Sequence, residues 1–129
     1  ERPIVDYSMG MRKKIGLACA LVHRPRVLFL DEPFNGIDPV TSRAINGVLR
    51  RAVEGGMTIF FTSHVLEVAE SLCTSVGIIQ DGRLRAQGSL EEVRVQAGAA
   101  PGTPLVDVFV DLVDPETAGR AEELLPWLR

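Results

Sequence analysis

The sequence predicts an α/β fold of parallel strands flanked by helices, with one small hairpin, and three observations carry that prediction. A short, wholly apolar run, Val27-Leu28-Phe29-Leu30, ends in the pair Asp31-Glu32. Such a run fits a strand covered on both faces, as parallel strands usually are. Segments with helical spacing of apolar residues flank it and separate it from a second such run, Met57 to Thr62. Asp81-Gly82 is a tight-turn pair between two further strand-like runs. Buried strands alternating with helices make strand–helix–strand units with right-handed crossovers.

The elements follow in order. Residues 8–23 read as a helix with Ser8 as its N-cap and Met11, Ile15, Ala18 and Val22 on one face. Arg24-Pro25 ends it, because a proline disfavours helical geometry in the residue before it. After the Val27 strand, Asp38-Pro39 opens a second helix, with aspartate as cap and proline in the first turn. Its predicted inner face is Ala44, Ile45, Val48, Leu49 and Ala52, and Gly55-Gly56 stops it. Val65 to Cys73 reads as a short amphipathic helix. Val76 to Gln80 and Arg83 to Ala86 read as the two arms of the hairpin. Ser89-Leu90-Glu91-Glu92 is a capping box that opens another helix. The Gly-, Ala- and Pro-rich stretch 97–104 reads as a linker. Leu105 to Val113 fits either a strand or a helical turn, and Pro115 to Arg129 a short helix in an acidic tail.

Composition narrows the function classes. With 129 residues, 46% of them hydrophobic and 24% charged, the chain suits one globular domain or part of one. A net charge of −3 gives no general pull toward nucleic acid or anionic membrane. The apolar runs are far shorter than the ~20 residues that span a bilayer. The start, ERPIVDYSMG, lacks the apolar core of a secretion signal, so a membrane role is expected only through a partner. Cys19 and Cys73 sit among apolar residues and are expected to be buried, reduced thiols. The absence of an initial methionine directly ahead of a motif points to a fragment.

The chemistry lies at strand ends. Leu28-Phe29-Leu30-Asp31-Glu32-Pro33 delivers two carboxylates at the C-terminal edge of a strand, where open α/β sheets bind ligands. In phosphate-loop ATPases an aspartate there helps to hold Mg²⁺, and a following glutamate can polarise the attacking water. An Asp-Glu pair alone is common and would more simply be a charged turn. Here Phe34-Asn35-Gly36-Ile37-Asp38-Pro39 follows at once, and Thr62-Ser63-His64 ends the next apolar strand. Upstream, Tyr7-Ser8-Met9-Gly10-Met11-Arg12 heads the first helix.

In this order and spacing the residues resemble the ABC (ATP-binding cassette) ATPases, whose signature motif precedes a Walker B strand, a D-loop and a switch histidine. The resemblance covers roughly residues 1–95 and implies the C-terminal part of a phosphate-loop, RecA-like nucleotide-binding domain. Residues 1–96 are expected to form that part, with 97–104 as a linker and 105–129 as an accessory tail. Ser8 and Gly10 match the signature serine and a signature glycine, which contact the γ-phosphate of ATP bound by the opposite subunit. A helix N-terminus with a hydroxyl and a glycine suits an anion. Asp31 matches the Mg²⁺ aspartate, Glu32 the catalytic base, Asp38 the D-loop aspartate that couples two sites, and His64 the switch histidine. Lys13 and Lys14 are expected to be solvated, His23 to be a helix-end residue and Trp127 a packing anchor.

Two departures stand out. Met9 and Met11 replace a glycine and the glutamine of the signature, as in bacterial export-type relatives that read YS-x-GM. Met9 is then expected to point away from nucleotide. No G-x-x-x-x-G-K-[ST] phosphate loop occurs in the chain. The resemblance implies ATP and Mg²⁺ as cofactors, a homo- or heterodimer of ATPase domains, a transmembrane permease as partner, and a place on the cytoplasmic face of the membrane. Two other readings compete: an ATPase of DNA repair or chromosome maintenance, and a truncated module that binds a partner without turnover. The lack of coiled-coil heptads and of a basic patch weighs against the first. Without the loop's lysine and backbone cradle, the chain alone is expected to be inactive.

Overall fold

The computed structural model describes residues 6–114. The chain divides into two compact units, one ending at Val65 and one beginning at Leu66. The helix predicted from Pro115 onward, with Trp127, lies outside the described residues.

The first unit contains α1 (Met9–Leu21), β1 (Val27–Leu30), α2 (Pro39–Glu54) and β2 (Thr58–Phe61). Ser8 caps α1, its hydroxyl accepting from the Met11 amide at 3.3 Å. The buried face of α1 is Gly10 and Leu17 with Lys13 half-buried between them, which corrects the predicted face. Met11, Ala18 and Val22 are exposed. The reason is close approach: a Cβ on Gly10 would stand 3.2 Å from the side chain of Thr41 in α2. The residue with no side chain, not the apolar stripe, therefore chooses the contact face.

β1 and β2 pair in parallel, Val27 with Thr58 through to Leu30 with Phe61. Leu28 is buried, but Val27 and Phe29 are exposed on the other face, beside exposed Phe60. Coverage on both faces is thus not observed among the described residues. α2 bridges the two strands and starts as the sequence predicts, with Asp38 accepting from the Thr41 amide at 2.9 Å and proline in the first turn. Its inner face is rotated from the predicted one. Thr41, Ile45 and Leu49 are buried at four-residue spacing, while Ala44 and Val48 are exposed. Gly55 caps the helix and Gly56 follows with φ +91°, as its stop signal requires.

The second unit contains α3 (Leu66–Leu72), β3 (Val76–Gln80), β4 (Arg83–Gly88), α4 (Leu90–Gln96) and α5 (Leu105–Val113). β3 and β4 form an antiparallel hairpin whose turn residues, Asp81 and Gly82, both have positive φ. That is the turn geometry whose twist suits a hairpin. Ser89 and Glu92 exchange both hydrogen bonds of a capping box at the start of α4. Leu105 to Val113 is helical, and the helix buries Leu105 and Val108 in a core with Ile78, Ala86 and Val93. Arg94 is buried among them, a costly place for a charge. It is paired with Glu70 and Glu91 and donates to the Thr103 carbonyl at 2.7 Å.

Both cysteines are free thiols. Cys19 is exposed on α1, which corrects the expectation that it is buried. Cys73 is half-buried just beyond α3, and burial raises its pKa.

Candidate active site

Parallel pairing decides what meets at the strand ends. Since Leu30 lies beside Phe61, the next residues in register are Asp31 and Thr62. The Thr62 hydroxyl donates to Asp31 Oδ1 at 2.5 Å and accepts from the Glu32 amide at 3.0 Å. Glu32 itself turns away from the strand with φ +45°, in the left-handed region. That turn sends its side chain toward the next loop, where His64 Nδ1 lies 2.9 Å from Glu32 Oε2. This oxygen is buried and has no hydrogen-bond partner among the described residues, the nearby imidazole included. The imidazole nitrogen and the carboxylate oxygen lie at ion-pair distance without the alignment of a hydrogen bond. Asp31, Glu32 and His64 are thus brought together, with Thr62 as the joint.

The loop after Glu32 is anchored from two directions. Phe34 is buried and packs edge-on against Phe61, with ring centroids 5.9 Å apart. Lys13 Nζ reaches from α1 and donates to the carbonyls of Glu32 and Asn35, each at 2.7 Å. Lys13 is therefore a structural tether, not the solvated lysine that the sequence predicts. Lys14 is exposed. The sequence assigns no site role to Lys13, or to Thr62 within the Thr62-Ser63-His64 segment. The available signals are position: Lys13 stands three residues after Gly10 on the same face of α1, and Thr62 stands beside Asp31 once the register is known.

Ser8, Gly10 and Asp38 occupy the starts of α1 and α2 rather than the carboxylate cluster. Among the described residues no hydrogen bond or ion pair joins their side chains to Asp31, Glu32 or His64. Gly10 and Asp38 share a neighbour in Thr41, one through close contact and the other through the cap. The Thr41 amide, and then its hydroxyl, hold the Asp38 carboxyl below the usual carboxylate range. Met9 lies against the loop: a Cβ on Gly36, whose φ is +67°, would stand 2.7 Å from Met9 Sδ. Position 36 thus favours glycine for its backbone, while the exposed, flexible Met9 side chain can move aside.

A pocket of about 170 Å³ opens between Lys13 and Leu17 of α1 and the end of β1 at Leu30 and Asp31. Pockets that enclose a small-molecule ligand run to roughly 300–1,000 Å³, so this one is too small to enclose a nucleotide by itself. No cluster of three His, Cys, Asp or Glu side chains suited to a metal ion occurs among the described residues. A single aspartate still fits Mg²⁺, which keeps much of its water and takes only one or two carboxylates beside substrate phosphates. Asp31 is exposed, with one oxygen fixed by Thr62, as such a ligand needs.

Comparison with known proteins places this geometry. A family described as "AAA domain, putative AbiEii toxin, Type IV TA system" matches residues 1–70. The ABC-type transporter ATP-binding protein EcsA of Bacillus subtilis is 35% identical over 114 residues, 88% of this chain and 45% of that protein. The bacitracin transport ATP-binding protein BcrA of Enterococcus faecalis is 39% identical over 68% of this chain and 29% of its own length. A solved structure of the ATP-binding subunit of an ABC transporter superposes with a TM-score of 0.77 at 33% identity, over 84% of this chain and 45% of that one. The chain accordingly spans less than half the length of these relatives. No helix among the described residues is long and apolar enough to cross a membrane.

Proposed function

The chain belongs to the ATP-binding proteins of ABC transporters, and from that membership we propose that it supplies the catalytic C-terminal part of an ATP-hydrolysing subunit. The full-length subunit would power transport through a transmembrane permease from the cytoplasmic face, reaching the membrane only through that partner. Two ATPase domains would close head to tail over two ATP molecules. The observation that carries this reading is the junction of Asp31, Glu32 and His64 at the ends of two parallel strands, with Glu32 in contact with the imidazole at 2.9 Å.

Each residue has a chemical task in this reading. Glu32 is the general base that orients and polarises the attacking water. His64 lies beside the Glu32 carboxylate and presents its other ring nitrogen toward the γ-phosphate. Asp31 is the protein's ligand to Mg²⁺, the ion that neutralises charge on the β- and γ-phosphates when bound. Ser8 and Gly10 offer the start of α1 to the γ-phosphate held by the opposite subunit. Asp38 lies at the start of α2, where the D-loop of one subunit meets the other. Resemblance of the Tyr7–Met11 signature to export-type relatives makes export the proposed direction.

The test is turnover in the full-length protein. Glu32→Gln is expected to lower kcat by roughly 10²- to 10⁴-fold while ATP binding persists. Residues 1–129 alone, with no phosphate-loop motif among them, are expected to show no turnover. Full activity in the Glu32→Gln enzyme, or steady hydrolysis by the isolated segment, would contradict the reading.

A further inference from the structure

Glu32 adopts a backbone conformation that side-chain-bearing residues avoid, with φ +45°. Such a conformation persists only where the surroundings hold it. Both polar groups of its own peptide are held, and each by a side chain. The N–H donates to Thr62 Oγ1 at 3.0 Å, and the C=O accepts from Lys13 Nζ at 2.7 Å.

The donor inventory makes the arrangement self-consistent. A hydroxyl has one proton, and that of Thr62 goes to Asp31 Oδ1 at 2.5 Å, which leaves a lone pair for the Glu32 amide. An ammonium has three donors and no acceptor, and Lys13 places two on carbonyls, those of Glu32 and Asn35. Valine in place of Thr62 would keep the shape and lose both bonds. Methionine in place of Lys13 would keep the stem and lose both of its bonds.

The two holders come from different elements, and each element carries another site residue. Lys13 rides on α1, whose first turn holds Ser8 and Gly10. Thr62 follows β2 directly and precedes His64 by two residues.

We propose that Lys13 and Thr62 are positioning residues for the base: together they hold the left-handed turn at Glu32 and so aim its carboxylate. Thr62 also fixes Asp31, so it sets the spacing between the base and the Mg²⁺ ligand. Lys13 adds a mechanical link, since any shift of α1 on engaging the opposite subunit's nucleotide is passed to the Glu32 carbonyl. This inference rests on the function proposed above.

The experiment uses the full-length ATPase in four variants: Lys13→Met, Lys13→Arg, Thr62→Val and Thr62→Ser. Misplacement of a reacting group by about 1 Å costs on the order of 100-fold, so Lys13→Met and Thr62→Val are expected to lower kcat by ~10- to 100-fold. KM for ATP is expected to stay within about twofold, because neither side chain is placed on the nucleotide. Thr62→Ser restores the hydroxyl and is expected to recover most of kcat, and Lys13→Arg, with its larger head, part of it. The two sites separate by metal dependence. Thr62→Val raises the Mg²⁺ concentration for half-maximal turnover, because Asp31 loses its clamp, whereas Lys13→Met leaves it unchanged. Thermal unfolding is followed in each variant.

Wild-type kcat in Lys13→Met or Thr62→Val would overturn the proposal while leaving the proposed function intact. So would a parallel loss of kcat, ATP affinity and thermal stability that Thr62→Ser fails to rescue, since that pattern marks a general folding role. Absence of turnover in the unmodified enzyme, or full turnover in Glu32→Gln, would instead overturn the proposed function and this inference with it.

Discussion

At the scale of single residues, one side chain serves as helix cap and site candidate at once. Asp38 is the proposed D-loop aspartate, and within this chain its carboxylate is occupied in capping α2. Its pKa is lowered in the folded chain, first by the Thr41 amide and then by the Thr41 hydroxyl. A depressed folded-state pKa means that its contribution to stability is present above the unfolded value and is lost as pH falls through the folded one. Acidification through and below the usual carboxylate range should therefore loosen the start of α2. Hydrogen exchange at the Thr41 amide reads this directly, and Asp38→Asn, which keeps an acceptor and removes the charge, should flatten the pH dependence. The motif residues Asp31, Glu32 and His64 were legible because their order and spacing are distinctive. Lys13 and Thr62 were not, because nothing in a lysine on a basic-flanked helix announces which carbonyls lie opposite. Only the left-handed turn at Glu32 and the strand register make their partners definite.

Among elements, type was easier to read than orientation. Apolar spacing, caps and turn pairs predict each helix and strand of the described residues except α5; Leu105 to Val113 reads as either a strand or a helical turn, and is a helix that packs Leu105 and Val108 on one side. The faces of α1 and α2 were misread for one common reason: the two helices meet through Gly10 and Thr41, residues that carry no hydrophobic signal. The rotated face of α2 makes a sharp prediction. Ile45 is 3% exposed and Val48 is 44% exposed, although the sequence places both inside. Ile45→Ala should cost roughly 2–5 kcal/mol by urea denaturation, the range for truncating a buried aliphatic side chain. Val48→Ala should stay within about 0.5 kcal/mol, as surface substitutions do. Equal losses at both positions would restore the predicted face.

For the whole molecule, the exposed side of the β1–β2 sheet is the feature that governs behaviour in solution. Val27, Phe29 and Phe60 lie exposed on it, with the two rings 5.7 Å apart. Large apolar groups left together at a surface favour association, and a two-strand parallel sheet presents unpaired backbone at its edges as well. Residues 1–129 alone should therefore self-associate, and Phe29→Glu should shift light scattering toward monomer. A monodisperse monomer at high concentration without the substitution would count against this. The sequence foresaw the strand but not its bare face, because a wholly apolar run signals cover without saying which part of a protein provides it.

The exposed thiol on α1 has a practical meaning. Cys19 is accessible, while Cys73 is half-buried with its pKa raised by that burial, so less of it is thiolate at neutral pH. A brief maleimide pulse should label Cys19 first, without any engineered cysteine. The fluorophore would then ride on the helix that begins with Ser8 and Gly10, and its emission would become a built-in gauge of the proposed closure of two ATPase domains.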